Sequence, residues 1–385
     1  MTSVVSLVRA HSDRTQAVED ALDLLGSPLD ALQPGMRVLI KPNMFQLKPG
    51  FQSHPDIVCA LACLAKARGA TVSVAERTRN LHQLLSSSDV AKYAEIVSLD
   101  DARLRVTQIE GATSLRVPLA VPEPVLECDY FIGVPQLRTH ASVLVTNGLK
   151  NLVGLLPGYT TRIVHMAGVD ESIVDLNVLR PQHLVVSDAT TVVEGNYPMD
   201  GDLREVGLLG ASTDAVALDS VMASMAGFDS TEVVYLRLAQ QRGLGVADLE
   251  RIRVVGLTRA EAAFPMRRAP CVPTSTHPGV RIYAESACAP CQRYIAGAMK
   301  LLEPELRQFQ GELTIVSGPL RELPELRGQV VLVGNSTYEH RERGIFVEGC
   351  PPRAIQIAAF RYALGHEVTP EQRSQFRVPS AVGVS

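Results

Sequence analysis

The chain has 385 residues, of which 46% are hydrophobic and 20% charged, a composition typical of a folded enzyme. This composition excludes a disordered, collagenous or coiled-coil protein. Its 37 basic residues face 41 acidic ones, so the formal charge is -4 and no positive excess is available to neutralise a nucleic-acid backbone. We therefore expect no nucleic-acid partner.

The amino-terminal segment lacks the basic, apolar and small-residue regions of a signal peptide. No window approaches the roughly 18 uncharged apolar residues of a membrane span. We expect a cytoplasmic protein with no membrane partner. In that compartment its seven cysteines are thiols or metal ligands and not a disulfide framework.

Short apolar runs rich in β-branched residues alternate with longer helical patterns, which predicts an α/β protein with a largely parallel sheet. In the first part of the chain the predicted strands are 37–40, 71–75, 130–134 and 183–187. The predicted helices are 54–68, 213–226 and 231–241. Each helix is followed by a glycine that can take the left-handed conformation, namely Gly69, Gly227 and Gly243.

A proline-rich stretch interrupts this alternation, because proline cannot continue either regular element. We therefore expect a large α/β domain at 1–260, a proline-rich connection at 261–279 and a smaller α/β domain at 280–385. The strands predicted for the smaller domain are 280–284, 313–316, 330–333 and 345–347. Its predicted helices are 292–309 and 353–364.

The strongest chemical signal is a set of three cysteines in the smaller domain. Cys288 and Cys291 form a Cys-x-x-Cys pair after one predicted strand, and Cys350 stands in Gly-Cys-Pro-Pro after another. Both turns are expected to open a helix, whose unpaired amide groups and positive dipole end stabilise thiolates. Because parallel strands end at one edge of a sheet, the three thiols are expected to converge.

Three converging thiolates favour a [4Fe-4S] cluster, while a zinc site and buried structural thiols are the alternatives. If no fourth cysteine reaches the cluster, its fourth iron is open to bind a substrate as a Lewis acid. Cys271 is the candidate for a fourth ligand. Cys59, Cys63 and Cys128 are expected to be core residues.

Polar side chains of the large domain collect after its predicted strands, where an open α/β sheet binds ligands. The candidate catalytic residues are His140, Lys150 and His165. The candidate substrate-binding residues are Lys41, Asn43, Arg138, Asn151 and Asp188. Lys41 is also consistent with a solvated turn, and Asp188 with the cap of a turn. Histidine and lysine side chains framing an apolar strand suit a small anionic substrate.

Several ordered blocks of the large domain carry a resemblance to a known family. They are IKPN at 40–43, CDYFIGVPQLRTH at 128–140, TNGLKNLVG at 146–154, VSDATTVVEGN at 186–196 and DAVALDSVMA at 214–223. Together they resemble the DUF362 family of uncharacterised proteins. Members of that family often carry [4Fe-4S] cysteines, so the resemblance implies that the smaller domain binds such a cluster. The chain lacks tandem Cys-x-x-Cys-x-x-Cys repeats, which argues against a two-cluster electron carrier.

Four common catalytic motifs are absent from the sequence: a Walker loop, a Gly-x-Ser-x-Gly turn, a His-Glu-x-x-His helix, and a Gly-x-Gly-x-x-Gly turn after the first strand. Their absence excludes nucleotide-dependent kinases, α/β hydrolases, zinc proteases and ordinary Rossmann dehydrogenases, respectively. Three functions remain: an iron-sulfur enzyme, an electron-transfer protein, and a regulatory protein with a structural metal site. We favour an oxygen-sensitive enzyme, a lyase of the dehydratase type, because no flavin or second-cluster motif supplies electrons. A reductive enzyme served by a ferredoxin-like donor stays open. His140 is expected to act as acid or base, because an imidazole titrates near pH ~6.5.

Overall fold

Two β-sheets organise the residues that the structure, a computed structural model, describes: 3–10, 13–44, 47–158, 160–275, 277–353 and 357–379. Their strands are β1 Ser3–Arg9, β2 Arg37–Pro42, β3 Thr71–Glu76, β4 Glu95–Ser98, β5 Leu104–Thr107, β6 Leu119–Pro122, β7 Tyr130–Val134, β8 Gln136–His140, β9 Leu144–Thr146, β10 Leu184–Glu194, β11 Asp202–Ser212, β12 Ile252–Gly256, β13 Val280–Tyr283, β14 Leu313–Ser317, β15 Gln329–Val333 and β16 Ile345–Val347. A separate small ribbon pairs β5 with β6.

The α-helices of the same described residues are α1 Arg14–Leu24, α2 Pro55–Ala67, α3 Leu81–Leu84, α4 Val90–Tyr93, α5 Glu123–Glu127, α6 Gly148–Asn151, α7 Thr160–Ala167, α8 Val169–Leu179, α9 Ala215–Met225, α10 Val234–Gln241, α11 Ala289–Leu301, α12 Glu303–Leu306, α13 Ala358–Ala363 and α14 Pro370–Arg373. Short 3₁₀ turns occupy Pro28–Ala31, Leu152–Leu155, Leu249–Arg251 and Asn335–Arg343. Among these helices, none combines the length and the apolar character needed to cross a bilayer.

The large sheet has the strand order β12-β1-β11-β10-β7-β2-β3-β4, and β8 and β9 extend it beside β10. The run from β10 through β7, β2 and β3 to β4 is parallel. β11 is antiparallel to both of its neighbours, β1 and β10. The predicted large, mainly parallel α/β sheet is therefore confirmed, with two antiparallel strands among those described, β11 and β9.

Strand β2 explains why the sheet forms layers. Its Leu39 packs into the apolar core on one face, whereas Val38 and Ile40 pack into the core on the other. A strand buried on both faces carries a continuous apolar run, and helices cover both sides of the sheet. The predicted glycine stops are confirmed, since Gly69, Gly227 and Gly243 all have positive φ. Cys128 lies in the core as predicted, while Cys59 and Cys63 are only half-buried.

The small sheet is entirely parallel, with the order β13-β14-β15-β16, and confirms the four predicted strands. The predicted helix at 292–309 is wrong at both ends. It begins at Ala289, with Cys288 as its N-cap, and ends at Leu301. It ends there because Pro304, in the following turn, has no N–H to bond the Lys300 carbonyl.

The helix predicted at 353–364 is also wrong, since α13 begins at Ala358; residues 354–356 lie outside the described part of the chain. Gly-Cys-Pro-Pro therefore does not open a helix directly. The turn instead bonds to a distant part of the chain, since the Cys350 carbonyl accepts a hydrogen bond from Val169 N (3.2 Å) of the large-sheet unit.

Candidate active site and cysteine site

A cavity of about 230 Å³ lies at the carboxyl ends of the parallel strands of the large sheet. Seven of the eight side chains predicted for the large-domain site line it: Lys41, Asn43, Arg138, His140, Lys150, Asn151 and His165. They come from the ends of β2, from β8, and from α6 and α7. Parallel strands deliver their carboxyl ends to one edge, which is why residues separated by more than a hundred positions meet here.

Asp188 is not part of this lining, and its position corrects its predicted role. One carboxylate oxygen accepts hydrogen bonds from Thr190 N (2.9 Å) and Thr190 Oγ1 (2.6 Å). The other accepts from His54 N (2.7 Å), just before helix α2. Asp188 is buried and occupied by these three donors, so it joins β10 to α2 and is the turn cap that the sequence also allowed.

Lys41 is buried at the end of β2 and its ammonium group is fully engaged. Its Nζ donates to Glu76 Oε2 (2.9 Å), to Asn151 Oδ1 (3.1 Å) and to the Pro42 carbonyl (2.9 Å). Burial lowers the pKa of Lys41, and the charge of Glu76 opposes that shift. Three donors with three acceptors leave none for a ligand, so Lys41 supports the cavity wall and does not bind substrate as predicted.

Arg138 is the largest fully buried polar side chain of the site, and neutral groups hold it. Its guanidinium donates to Gln136 Oε1 (3.0 Å), Asn43 Oδ1 (2.8 Å), the Phe51 carbonyl (2.6 Å) and the Tyr197 hydroxyl. It also lies over the Tyr197 ring, 4.9 Å from the ring centroid. No carboxylate among the described residues forms an ion pair with Arg138, so its charge adds to the positive potential of the cavity.

His140 and Lys150 form a contact at the inner end of the cavity. Lys150 Nζ lies 3.4 Å from His140 Nε2, and His140 Nδ1 accepts from Ser142 N (3.0 Å). Burial, and then the charge of Lys150, lowers the pKa of His140 well below its usual value. The expected titration of His140 near neutral pH is therefore wrong, because desolvation keeps the imidazole uncharged.

Of His140 and Lys150, Lys150 has the pKa that suits proton transfer near neutral pH. Burial, followed by the charge of Arg138, lowers the pKa of Lys150 to about 8, and the charge of Asp170 opposes that shift. No described carboxylate forms an ion pair with Lys150, in contrast to Lys41. A lysine of this kind exchanges protons near neutral pH and keeps its donors available to a ligand.

His165 lines the cavity from helix α7, and its Nδ1 has no hydrogen-bond partner among the described residues. Burial lowers the pKa of His165 to about 3, and the charges of Lys150, Arg353 and Arg77 act in the same direction. His165 is therefore neutral over the physiological range. A buried, unbonded ring nitrogen is costly unless a water molecule or a ligand satisfies it.

The short helix α6 positions Lys150, and buried Asp219 holds its first residues. The two oxygens of Asp219 accept from Gly148 N (2.8 Å) and Leu149 N (3.0 Å). A β-carbon at Gly148 would lie 2.9 Å from Val185 Cγ1 and 3.0 Å from Asp219 Oδ1, so the close approach requires glycine. Burial raises the pKa of Asp219 to about 7, although the two amide donors favour its charged form.

The cysteine site lies at the carboxyl edge of the small sheet, where the loop after β13 crosses two neighbouring strands. A β-carbon at Gly318, after β14, would lie 2.4 Å from Ser286 Oγ, and one at Gly334, after β15, would lie 3.2 Å from Cys291 Sγ. Both glycines have positive φ. Their missing side chains let the Cys-x-x-Cys turn reach across the sheet toward the Cys350 turn that follows β16.

The three thiols act electrostatically on one another. A hydrogen bond from Cys291 lowers the pKa of Cys288 to about 6, while the same bond, followed by burial, raises the pKa of Cys291. Burial, followed by the charge of Cys288, raises the pKa of Cys350. Cys288 and Cys350 are exposed and Cys291 is buried, and all three are free thiols. The predicted trio is thus brought into one neighbourhood.

Within the described ranges, no three His, Cys, Asp or Glu side chains converge closely enough to hold one metal ion. A [4Fe-4S] cube binds each thiolate through a different iron, so its cysteine sulfurs stand further apart than the ligands of a single ion. Two exposed thiols and one buried thiol, with Gly334 beside Cys291, provide the thiolate donors that such a cluster requires. The residues therefore fit such a group, and Cys288, Cys291 and Cys350 would hold it.

The Cys350 turn forms part of the support of the cavity. Cys350 N donates to the carbonyl of His165, and Asn335 links the two units by donating to the Met166 carbonyl (2.7 Å) and accepting from Gly349 N (2.8 Å). Arg353, three residues after Cys350, lines the cavity itself. The cysteine site and the cavity are therefore adjacent parts of one region.

Helix α11 adds a second link between the two units. Buried Arg293, two residues after Cys291, donates from Nε and Nη2 to the Ser142 carbonyl (3.2 and 2.9 Å). The Ser142 amide, in turn, bonds to His140. The same short segment thus contacts the histidine of the cavity and the helix that carries the cysteine pair.

Several residues of the site were absent from the sequence prediction. They are Glu76, Arg77, Gln136, Tyr197 and Arg353. Glu76 and Arg77 stand at the end of a correctly predicted strand, so the rule used for Lys41 applies to them too. Arg353 follows a cysteine turn of the small sheet, and no local pattern connects that turn with the large-sheet cavity.

Comparisons with known proteins identify the family. Residues 38–224 match the family described as domain of unknown function (DUF362). The thylakoid-associated protein sll1697 of Synechocystis sp. (strain ATCC 27184 / PCC 6803 / Kazusa) is 31% identical over 291 residues, covering 69% of this chain and 84% of that protein. The chain belongs to the DUF362 family, as its sequence blocks indicated.

A solved structure, the lactate racemase apoprotein from Thermoanaerobacterium thermosaccharolyticum, is similar over 88% of this chain and 73% of that chain. The TM-score is 0.40 and the sequence identity is 9%.

Proposed function

We propose that this protein is an enzyme that binds a small anionic substrate in the 230 Å³ cavity, beside a [4Fe-4S] cluster held by Cys288, Cys291 and Cys350. The hydrogen bond from Cys350 N to the His165 carbonyl carries the proposal, because it joins a cysteine turn to a residue that lines the cavity. The cluster, when bound, supplies a Lewis-acidic iron. An acid-base pair and a metal site next to one cavity are the components of a metal-assisted reaction.

Lys150 is the group that binds the anion and moves the proton. Its pKa of about 8 leaves it mostly protonated at neutral pH, with a usable fraction of free amine. Because Ser142 N donates to His140 Nδ1, the neutral imidazole carries its proton on Nε2, facing Lys150. Two donors 3.4 Å apart therefore face a shared space, where an anionic group would accept from both.

A redox-neutral elimination of the dehydratase type suits this arrangement best. The amine of Lys150 removes a proton from a substrate carbon, and the resulting ammonium returns a proton to the departing hydroxyl, which leaves as water. No electrons are gained or lost in this sequence. The buried and neutral His140 and His165 keep the surroundings of Lys150 weakly solvated, which maintains its low pKa.

Anaerobic reconstitution with iron and sulfide tests the cofactor. We expect about four irons and four sulfides per chain, and loss of both in Cys288→Ser, Cys291→Ser or Cys350→Ser. Cys59→Ser is the matched control, since Cys59 lies on helix α2, away from the small sheet. Stoichiometric zinc without sulfide, or unchanged iron in the three variants, contradicts the proposal.

Electron transfer is a second candidate, favoured by the position of Cys271. The charges of Cys271 and Cys288 both act on the pKa of buried Arg293, so both thiols lie in the neighbourhood of its guanidinium. Cys271 is exposed and free. A cluster closed by Cys271 as fourth ligand would have no open iron and would relay electrons from a ferredoxin-like donor.

A further inference from the structure

The charged side chains around the cavity indicate how many anionic groups its ligand has. Among the described lining residues, five are cationic, namely Lys41, Arg77, Arg138, Lys150 and Arg353, and one, Glu76, is acidic. Glu76 is paired with Lys41 at 2.9 Å, which compensates that one charge. Arg77, Arg138 and Lys150 form no ion pair with a carboxylate of the described residues, and these three charges exceed what a single carboxylate on a ligand would balance.

These cationic groups lie in two places. Lys150 lies on α6, beside His140 and near Arg138. Arg77 follows β3, where Thr161 and the Leu156 carbonyl hold it, and after burial its charge has the largest influence on the pKa of Arg353, so these two arginines lie near each other. The charges of Lys150, Arg353 and Arg77 all lower the pKa of His165, so its ring lies near Lys150 and near the two arginines.

Arg77 is fixed in place with part of its guanidinium available. Its Nη1 donates to Thr161 Oγ1 on α7 and to the Leu156 carbonyl (3.4 Å). Its Nε and Nη2 have no partner among the described residues, and no described carboxylate forms an ion pair with it. A half-buried arginine positioned by one nitrogen can present the other two to a carboxylate or phosphate.

We propose that the cavity takes a small ligand with two separate anionic groups, one bound by Lys150 and His140 and the other by Arg77 and Arg353. The proposal rests on the proposed function, in that the cavity is the substrate site. At about 230 Å³ the cavity is smaller than the roughly 300–1,000 Å³ of sites for drug-sized ligands. A short-chain dicarboxylate and a phosphorylated short-chain carboxylate share the required chemistry.

Calorimetric titration of the wild-type protein with succinate and with butyrate tests this. Both ligands have four carbons, and only succinate has a second carboxylate. We expect succinate to bind about tenfold or more tightly at equal ionic strength, because the second group forms charge-assisted hydrogen bonds. Phosphoglycolate and inorganic phosphate distinguish the two sources: tighter binding of phosphoglycolate than of succinate assigns the second group to a phosphate.

Arg77→Gln should reduce the preference for succinate over butyrate to less than about threefold. Arg79→Gln is the matched control, since Arg79 is two residues along, exposed, and paired with Asp101 outside the cavity; it should keep the preference. Equal binding of succinate and butyrate, binding of neither, or an unchanged preference in Arg77→Gln overturns the proposal.

The same titration on iron-free and iron-reconstituted protein separates this proposal from the cofactor. A preference for succinate in protein that never acquires iron supports the dianion site while the cluster proposal fails. A reconstituted cluster with equal binding of the two ligands refutes the dianion site alone.

Discussion

Lys150 Nζ lies 3.4 Å from His140 Nε2, with no carboxylate of the described residues paired to either side chain. Burial determines what each partner can do, because it disfavours the charged form of both. The imidazole stays neutral, and the lysine titrates near pH 8. At neutral pH Lys150 is therefore mostly protonated, and His140 is uncharged.

Ligand affinity is expected to fall as pH rises through the pKa of Lys150, about 8. Lys150 is cationic below that pKa and neutral above it, so an anion loses its charge partner and affinity falls by up to about tenfold per pH unit. Titration with succinate from neutral to alkaline pH measures this. Lys150→Arg should give a flat profile, because its guanidinium stays protonated. A wild-type profile as flat as that of Lys150→Arg would refute the assignment.

The Lys41–Glu76 ion pair is expected to stabilise the fold around the cavity, because each buried charge compensates the other. Glu76→Gln leaves the buried ammonium of Lys41 without its counter-ion and should lower the free energy of unfolding by about 3–5 kcal/mol. Lys41→Met combined with Glu76→Gln removes both charges and should recover part of that loss. Urea denaturation measures both variants. Equal stability of Glu76→Gln and wild type would mean that the pair is not held as described.

Gly334 is expected to be required by the cysteine site. In Gly334→Ala the new β-carbon presses on Cys291 Sγ at 3.2 Å, so iron content after reconstitution should fall by more than half. Gly365→Ala is the control: Gly365 also has positive φ, but nothing lies within 4 Å of its added β-carbon. Both variants should lose about 1 kcal/mol or more of stability from backbone strain. Equal iron content in the two variants would contradict the crossing of Cys291 over β15.

Replacement of Cys271 decides between the open and the closed cluster. Cys271→Ser should leave the iron and sulfide content unchanged, because three cysteines hold the cluster and the thiol of Cys271 is exposed. Cluster spectroscopy and iron analysis of the reconstituted variant provide the measurement. Loss of the cluster, or four cysteine thiolates in the wild type, would make electron transfer the better function.

Eight of the sixteen strands of the described residues were predicted, namely β2, β3, β7, β10 and β13 to β16, because their apolar runs are a local pattern. The other eight, β1, β4, β5, β6, β8, β9, β11 and β12, were not predicted. The apolar run at β2 marks a strand buried on both faces, and the polar residues after it must lie at the carboxyl edge of a parallel sheet. That rule located seven of the eight lining side chains predicted for the large-domain site. The helix bounds predicted for the small sheet were wrong, since α11 ends at Leu301 before Pro304, which has no N–H to donate, and α13 begins only at Ala358.

The α/β class, the family, the three cysteines and the sheet edge at which the polar side chains collect can all be read from strand period, turn residues and motif spacing, because these are local properties. Which of those polar side chains are available to a ligand depends on contacts between distant parts of the chain. Lys41 donates its hydrogen bonds to Glu76 and Asn151, and Asp188 accepts from His54 and Thr190. Lys150 keeps donors available to a ligand. The availability and the pKa of a side chain depend on its burial and on charged groups from distant positions in the chain, which no local sequence pattern predicts.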